Sequence, residues 1–269
     1  MTEKHLNIMT GLMGHYKDAL EHFSENQIVG LFLQGSQNYH IDDETSDIDT
    51  KLLVVPSLKD LAYNKNPISH TFVRENNEHI DFKDIRLYMD MFRKQNINFI
   101  EILFTDYYVV NPTYKRLWQK LLVDNRELIG RYNPYQAIMC IAGNALEKYK
   151  RLSWCYPSRE EIVLKYGYDP KQLTHLLRFE DFLERYIAEE PYEDCIIPKN
   201  LEKLCEAKKG VYSLDEATKM ADAAFIHITK MRDNFCLTHD NRHSLLVEDL
   251  FRSVQYEMIK IAIKEELDQ

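Results

Sequence analysis

The segment IVGLFLQGS, residues 28–36, is followed after a ten-residue loop by DIDTKLLVVP, residues 47–56. Each segment contains a short apolar run of the kind that forms a buried strand, and the second ends in a proline, which cannot continue a central strand. The first segment ends in a glycine–serine pair, and the second begins with two aspartates. Together they predict a small sheet with polar residues at its strand ends, and these residues are candidates for a functional site.

These polar groups are Gly35, Ser36, Asp47 and Asp49. Glycine at a strand end lets a backbone amide approach a phosphate closely, and the Ser36 hydroxyl can donate a further hydrogen bond. Asp47 and Asp49 are two residues apart on a strand, so their side chains point to the same face. Paired carboxylates stay ionised most readily around a hard cation such as Mg²⁺. A phosphate cradle beside such a site suits in-line nucleotidyl transfer with two metal ions.

A third carboxylate is expected in HIDFKDI, residues 79–85. Strand alternation places Asp84 on the apolar face with Ile80 and Phe82, and it places Asp81 on the opposite face. If the apolar face packs into the core, Asp81 is the carboxylate that can reach the metals. We expect Asp84 to cap the helix that follows.

The fold class predicted from the chain is α+β. A helix is expected over residues 3–24, an antiparallel hairpin over 68–73 and 79–84, and a helix over 86–94. The segment 99–104 fits either a short strand or a buried helix. The strand signals stop near residue 112, and the rest has helical periodicity. We therefore predict an N-terminal domain over residues 1–112 and an all-helical domain over 113–269, with the active site in the cleft between them.

Composition excludes several classes of protein. The chain has 269 residues, 45% hydrophobic and 29% charged, which is ordinary for a globular protein. Its net charge of −9 disfavours stable binding to duplex DNA, since only a local basic patch would bind nucleic acid. Five cysteines without a CxxC pair argue against a disulfide framework, and no apolar run approaches the roughly 20 residues of a membrane span. We expect a cytoplasmic protein with no membrane partner.

With the glycine–serine pair, Asp47-x-Asp49 and Asp81 in this order, the chain resembles the DNA polymerase β nucleotidyltransferase superfamily. Two further segments, NFIEILF (98–104) and GYDPKQLTHLLR (167–178), resemble a family of predicted bacterial and phage nucleotidyltransferases. Some members are associated with RNA ligases and are presumed to act in RNA repair. The second segment follows the family pattern GYD-x-K-x-x-x-H-L-x-R, whereas Gln37 stands where members often have arginine.

The resemblance implies an N-terminal polymerase-β-like palm and a Mg²⁺- or Mn²⁺-dependent nucleotidyltransferase. Such an enzyme binds ATP or another nucleoside triphosphate and transfers the nucleoside monophosphate to an acceptor hydroxyl, with release of pyrophosphate. Ser36 would hold the outer phosphates. Asp47 and Asp49 would bind both metal ions, and Asp81 would bind the catalytic metal near the acceptor. An RNA end is favoured as the acceptor only through the resemblance; a small metabolite or a protein hydroxyl stays open.

The basic residues Lys171, His175 and Arg178 are spaced i, i+4 and i+7 on a helix predicted to start at Pro170, with Asp169 as its N-cap. This spacing places all three on one helix face, where they suit the triphosphate or a phosphate of the acceptor. The alternative is a solvated basic face on a well-capped helix.

Two other functions remain open. One is a nucleotide-binding regulatory module that does not turn over, although all three predicted metal carboxylates are present. The other is the synthesis of oligonucleotide messengers, in which nucleotides are both donor and acceptor.

Overall fold

The computed structural model describes residues 3–43 and 46–268. Within them the chain forms two compact units. The first contains the described parts of 1–38, 43–132 and 243–269, and the second contains 39–42 and 133–242.

The first unit is built on a five-stranded sheet with the order β3-β4-β2-β1-β5. Its strands are β1 (Ile28–Gln34), β2 (Asp49–Val54), β3 (Ser69–Val73), β4 (His79–Asp84) and β5 (Tyr108–Val110). β2 and β4 are parallel and the other neighbours are antiparallel, so the sheet is mixed. The two apolar strands and the hairpin predicted from the sequence are confirmed, and β5 is an additional strand.

Six α-helices of the first unit lie between residues 3 and 130 of the described chain. They are α1 (Glu3–Ala19), α2 (Leu58–Ala62), α3 (Ile85–Arg93), α4 (Ile97–Ile100), α5 (Pro112–Leu117) and α6 (Arg126–Gly130). The segment 99–104, which fitted either a short strand or a buried helix, is helical through Leu103. It contains the end of α4 and the 3-10 turn at Glu101–Leu103. The Asp84 side chain accepts a hydrogen bond of 2.8 Å from the Arg86 amide, which confirms its predicted role as the cap of α3.

Both faces of the sheet are covered. On one face Leu31, Leu52 and Ile80 pack with α1 residues such as Leu12 in a buried apolar cluster. On the other face Phe32 stacks on Trp118 with ring centroids 4.2 Å apart. Alternation along β4 therefore buries Ile80, as predicted, and leaves its neighbours on the second face.

The second unit is helical. Its helices are α7 (Pro134–Arg151), α8 (Glu160–Tyr166), α9 (Pro170–Ile187), α10 (Tyr192–Ile196), α11 (Leu201–Lys209) and α12 (Leu214–Thr238). α9 is the central helix, since α7, α10, α11 and α12 all pack against it. It buries twelve of its residues, in keeping with this position.

The last helix, α13 (Leu245–Leu267), belongs to the first unit. The sequence had placed all of 113–269 in one helical domain, whereas here 113–132 and the described residues from 243 onward belong to the unit that contains the sheet. The cause is a set of long-range contacts. Arg93 donates two hydrogen bonds to Glu248, of 3.0 and 3.1 Å, and the rings of Phe92 and Phe251 lie 5.9 Å apart.

The predicted α+β class, a small mixed sheet combined with many helices, is thus confirmed. Across residues 3–43 and 46–268, none of the helices combines the length and apolar composition needed to cross a bilayer.

A buried histidine links α1 to the middle of the sheet and predicts a pH-dependent stability. His15 is fully buried, with Nδ1 2.8 Å from Thr50 Oγ1 and Nε2 2.9 Å from Glu78 Oε2. Burial lowers its pKa below the ordinary 6.5. The unfolded chain therefore binds a proton near pH 6.5 that folded His15 binds only at lower pH. The stabilisation is complete above pH 6.5 and is lost as the pH falls towards the folded pKa.

We expect the free energy of unfolding to decrease from pH 7 to pH 5, by at most about 1.4 kcal/mol per pH unit for one such group. Urea denaturation at pH 7, 6 and 5 measures this dependence. His15→Gln should flatten the profile, although His175, whose pKa is also lowered, keeps part of the slope. Parallel profiles for the wild type and His15→Gln would show that His15 is not responsible.

Candidate active site

Three strand ends meet at one edge of the sheet. Gln34, the last residue of β1, pairs directly with Asp49, the first residue of β2. Because β4 runs parallel to β2, its first residue, His79, lies at the same edge. The glycine–serine turn after β1 therefore lies beside the start of β2. Because β2 begins at Asp49, Asp47 precedes the strand, and the two aspartates do not share a strand as the sequence predicted.

The glycine–serine turn has a conformation that favours glycine. Gly35 has φ of +98°, which L side chains rarely adopt. Asn38 fixes the turn, since its amide nitrogen donates to the Leu33 carbonyl at 3.0 Å and its side-chain oxygen accepts from Thr105 Oγ1 at 2.7 Å. Within the described residues the half-buried Ser36 hydroxyl makes no hydrogen bond, so it can donate to a ligand.

Gly35→Ala tests the turn. A Cβ at this position would have open space, with Gln37 Oε1 nearest at 3.9 Å, so the cost is conformational. We expect a loss of about 1–2 kcal/mol in the free energy of unfolding. Gly143→Ala is the matched control, because Gly143 lies inside α7 with nothing within 4 Å. The control should gain up to about 1 kcal/mol from helix propensity. Equal effects of the two variants in urea denaturation would contradict this account of the turn.

Gln37 joins the turn to the aspartate segment and was not predicted as a site residue. It is buried, and its Nε2 donates to the Asp47 carbonyl at 2.7 Å. The sequence showed only a glutamine where members of the family that the chain resembles often have arginine. The structure gives it the role of a positioning residue, which holds the backbone of Asp47 beside the turn.

The two aspartates differ in their surroundings. Asp47 is exposed. Asp49 is partly buried, and its Oδ1 accepts the His79 amide at 2.9 Å and lies 3.1 Å from His79 Nδ1. His79 is thus a second residue that sequence reasoning missed, because only the parallel register of β2 and β4 brings it to Asp49. Among the described residues nothing hydrogen-bonds to Asp49 Oδ2, which leaves that oxygen available as a ligand.

Asp81 lies farther along β4, opposite Lys51. Its Oδ2 is 3.5 Å from Lys51 Nζ, and its Oδ1 is 3.9 Å from Lys83 Nζ. Both ammonium groups also lie over the ring of Phe99, at 4.2 and 5.3 Å from its centroid. Burial lowers the pKa of Lys51, and Asp81 opposes part of that shift. Lys51 is the third residue that the sequence did not single out.

These side chains fit a divalent cation in part. Asp47 and Asp49 supply the hard oxygen donors that Mg²⁺ prefers. Within residues 3–43 and 46–268, however, no three His, Cys, Asp or Glu side chains stand close enough together to hold a metal ion. Asp81, the expected third ligand, is paired with lysines instead. The structure therefore brings Asp47 and Asp49 to the turn, and Asp81 would need to change its partner to join them.

The predicted basic residues lie in the second unit, on α9. Asp169 caps this helix by accepting from the Lys171 amide at 3.0 Å, as expected, and Pro170 is its first residue. Lys171 is exposed, His175 is half-buried and Arg178 is buried. Burial lowers the pKa of His175 well below its ordinary value, and the positive charges of Arg178 and Lys171 lower it further. The three residues thus form one basic helix face.

Comparison with known proteins yields little sequence likeness. Neither a protein-family model nor a curated protein matches the chain. One similar solved structure is that of a nucleotidyltransferase-like protein from Exiguobacterium sibiricum. It is 9% identical, with a TM-score of 0.29, over 85% of this chain and 76% of that one.

Proposed function

We propose that the protein is a metal-dependent nucleotidyltransferase that acts at the sheet edge formed by β1, β2 and β4. The observation that carries this proposal is the direct pairing of Gln34 with Asp49, which places the glycine–serine turn beside the aspartates. A turn with an available hydroxyl suits phosphate oxygens, and adjacent carboxylates suit the cation that accompanies a triphosphate.

In the proposed reaction the acceptor hydroxyl oxygen attacks the α-phosphorus of a nucleoside triphosphate. The bond from that phosphorus to the bridging oxygen of the β-phosphate breaks, and pyrophosphate leaves. Gly35 and Ser36 hold the outer phosphates. Asp47 and Asp49 would hold Mg²⁺ or Mn²⁺, which would neutralise phosphate charge. Asp81 is the candidate for the third ligand and for uptake of the acceptor's proton.

Positioning residues support these roles. Gln37 fixes the backbone of Asp47, and His79 fixes one oxygen of Asp49. Phosphoryl-transfer reactions gain rate mainly from the orientation of the reactants and from preorganised charges. Contacts that fix the metal-binding carboxylates therefore contribute to the rate. Lys171, His175 and Arg178 are proposed to bind phosphate groups of the donor or the acceptor. An RNA end is the acceptor favoured by the family resemblance.

A nucleotide-binding module without turnover is the second candidate. The pairing of Asp81 with Lys51, at 3.5 Å, favours it, because this contact occupies the carboxylate that the reaction needs. In this case the site would bind a triphosphate and leave it intact.

The experiment supplies α-labelled nucleoside triphosphates with Mg²⁺ or Mn²⁺, each alone and then with small RNAs of defined 3′ ends. Label on RNA identifies a terminal transferase. Label in a small product without RNA identifies the synthesis of a nucleotide messenger or transfer to a metabolite. Measurable triphosphate binding with no transfer to any acceptor supports the module without turnover and contradicts the proposed function.

A further inference from the structure

Basic side chains of three helices that pack together in the second unit act electrostatically on His175. They are Lys148 of α7, Lys171 and Arg178 of α9, and Lys208 of α11. The positive charges of all four lower the pKa of His175, after burial. Lys171 and Arg178 likewise act on Lys148, whose pKa is lowered first by burial. We call these five residues the α9 cationic centre. Two of its members, Lys148 and Lys208, belong to no sequence motif that we identified.

Such a cluster opposes folding, since like charges repel and desolvation adds to the cost. Arg178 is only 2% exposed, and the Lys148 side chain is 22% exposed, with its amino group 3.9 Å from Glu147. Neighbouring cations in partly buried positions are a common property of sites that bind anions, because the bound anion relieves the repulsion.

The centre is also held in place by one short segment of the same unit. The Arg178 guanidinium lies 3.8 Å from the centroid of the Tyr39 ring. Lys208 Nζ donates to the Ile41 carbonyl at 3.1 Å. A guanidinium that stacks on a ring keeps its donors in its own plane, in the geometry that recognises phosphate. Residues 39–42 thus orient two of the five groups from two different helices.

We propose that the α9 cationic centre is a binding site for a chain of phosphate groups and that Lys148 and Lys208 are part of it. Five basic groups from three helices match several phosphate charges better than one. Two sources share this chemistry, namely the triphosphate of the donor nucleotide and a 5′-phosphorylated end of a nucleic acid acceptor. The choice between these sources rests on the proposed function, whereas the existence of the site does not.

The test is calorimetric titration of the full chain with inorganic tripolyphosphate in the absence of divalent cations. We expect Lys148→Met and Lys208→Met each to weaken binding about tenfold, as for the loss of one charge-assisted contact. Lys219→Met is the matched control, because the Lys219 side chain is 74% exposed on α12, and it should bind as the wild type does. Equal affinities in all four proteins, with unchanged thermal unfolding, would overturn the proposal.

Proton uptake gives a second readout that a purely structural role would not produce. A bound polyanion offsets the charges of Lys148, Lys171, Arg178 and Lys208 and so favours protonation of His175. Titrations near pH 6.5 in buffers of different ionisation enthalpy should show proton uptake in the wild type and a smaller uptake in His175→Gln. Identical uptake in both proteins would contradict the placement of the anion beside His175.

Competition then identifies the source of the phosphate chain. Displacement of tripolyphosphate by ATP identifies the donor, and displacement by a 5′-phosphorylated but not a 5′-hydroxyl oligoribonucleotide identifies the acceptor. Failure of both to displace it overturns the assignment of the ligand. Asp49→Asn should bind tripolyphosphate as the wild type does. If Asp49→Asn loses transfer activity but still binds tripolyphosphate, the defect lies at the sheet edge and not at the α9 cationic centre. If the wild type transfers nucleotides but its tripolyphosphate binding does not depend on Lys148 and Lys208, only this inference is contradicted, and the proposed function stands.

Discussion

Asp49→Asn is expected to reduce kcat/KM for nucleotidyl transfer by about a thousandfold, the scale associated with removing one preorganised electrostatic group. The substitution removes the negative charge that would hold a divalent cation. It keeps the shape of the side chain and an oxygen that can accept from His79, as Oδ1 now does at 2.9 Å from the His79 amide. The fold should therefore persist while the rate falls.

Steady-state kinetics with a labelled triphosphate, together with thermal unfolding, measures both parts of this expectation. Asp215→Asn is the matched control, because the Asp215 side chain is 76% exposed and forms an ion pair with Lys219 on the surface of α12. The control should keep full activity, and neither variant should lose appreciable stability. If Asp49→Asn retained full transfer activity, the assignment of the metal site would be wrong.

Asp169→Ala is expected to lower the free energy of unfolding by about 3 kcal/mol, because it breaks a buried ion pair and removes a helix cap. Asp169 is fully buried and accepts from Arg159 Nη2 at 2.7 Å and from Nε at 2.9 Å. It also accepts from the Lys171 amide at the start of α9. The substitution leaves the Arg159 charge without this carboxylate and frays the first turn of the central helix.

Urea denaturation of Asp169→Ala and Lys171→Ala separates structure from function in this segment. The Lys171 side chain is exposed, so its removal should change the stability by less than about 0.5 kcal/mol while weakening tripolyphosphate binding. The opposite ranking of the two variants in stability would show that the segment is held by contacts other than the cap.

Local periodicity explains which parts of the fold could be predicted. The alternation along β4 predicted that Ile80 lies in the core and that Asp84 caps α3. Both positions could be predicted because each depends on residues that are neighbours in the chain. β5 was missed, since a three-residue strand carries no pattern of its own and exists only through its pairing with β1. The position of α13 depends likewise on a distant contact, the pair between Arg93 and Glu248.

In the candidate site, too, local sequence patterns could be interpreted and distant contacts could not. The turn residues and aspartates could be proposed because their spacing carries the chemistry within one stretch of sequence. Gln37, His79 and Lys51 could not, because each acts through a partner that only the tertiary structure supplies. Lys51 matters most among them, since its amino group lies 3.5 Å from Asp81, the carboxylate proposed as the third metal ligand.

The central claim is nucleotidyl transfer at the sheet edge, and the stoichiometry of products tests it most directly. ATP labelled at the α-phosphate would be incubated with the protein, Mg²⁺ and the acceptor pool, and pyrophosphate would be quantified in parallel. We predict one pyrophosphate released for each labelled monophosphate transferred, with the formation of both products about a thousandfold slower in Asp49→Asn. Release of orthophosphate, with the α-label retained in a diphosphate, would contradict the claim.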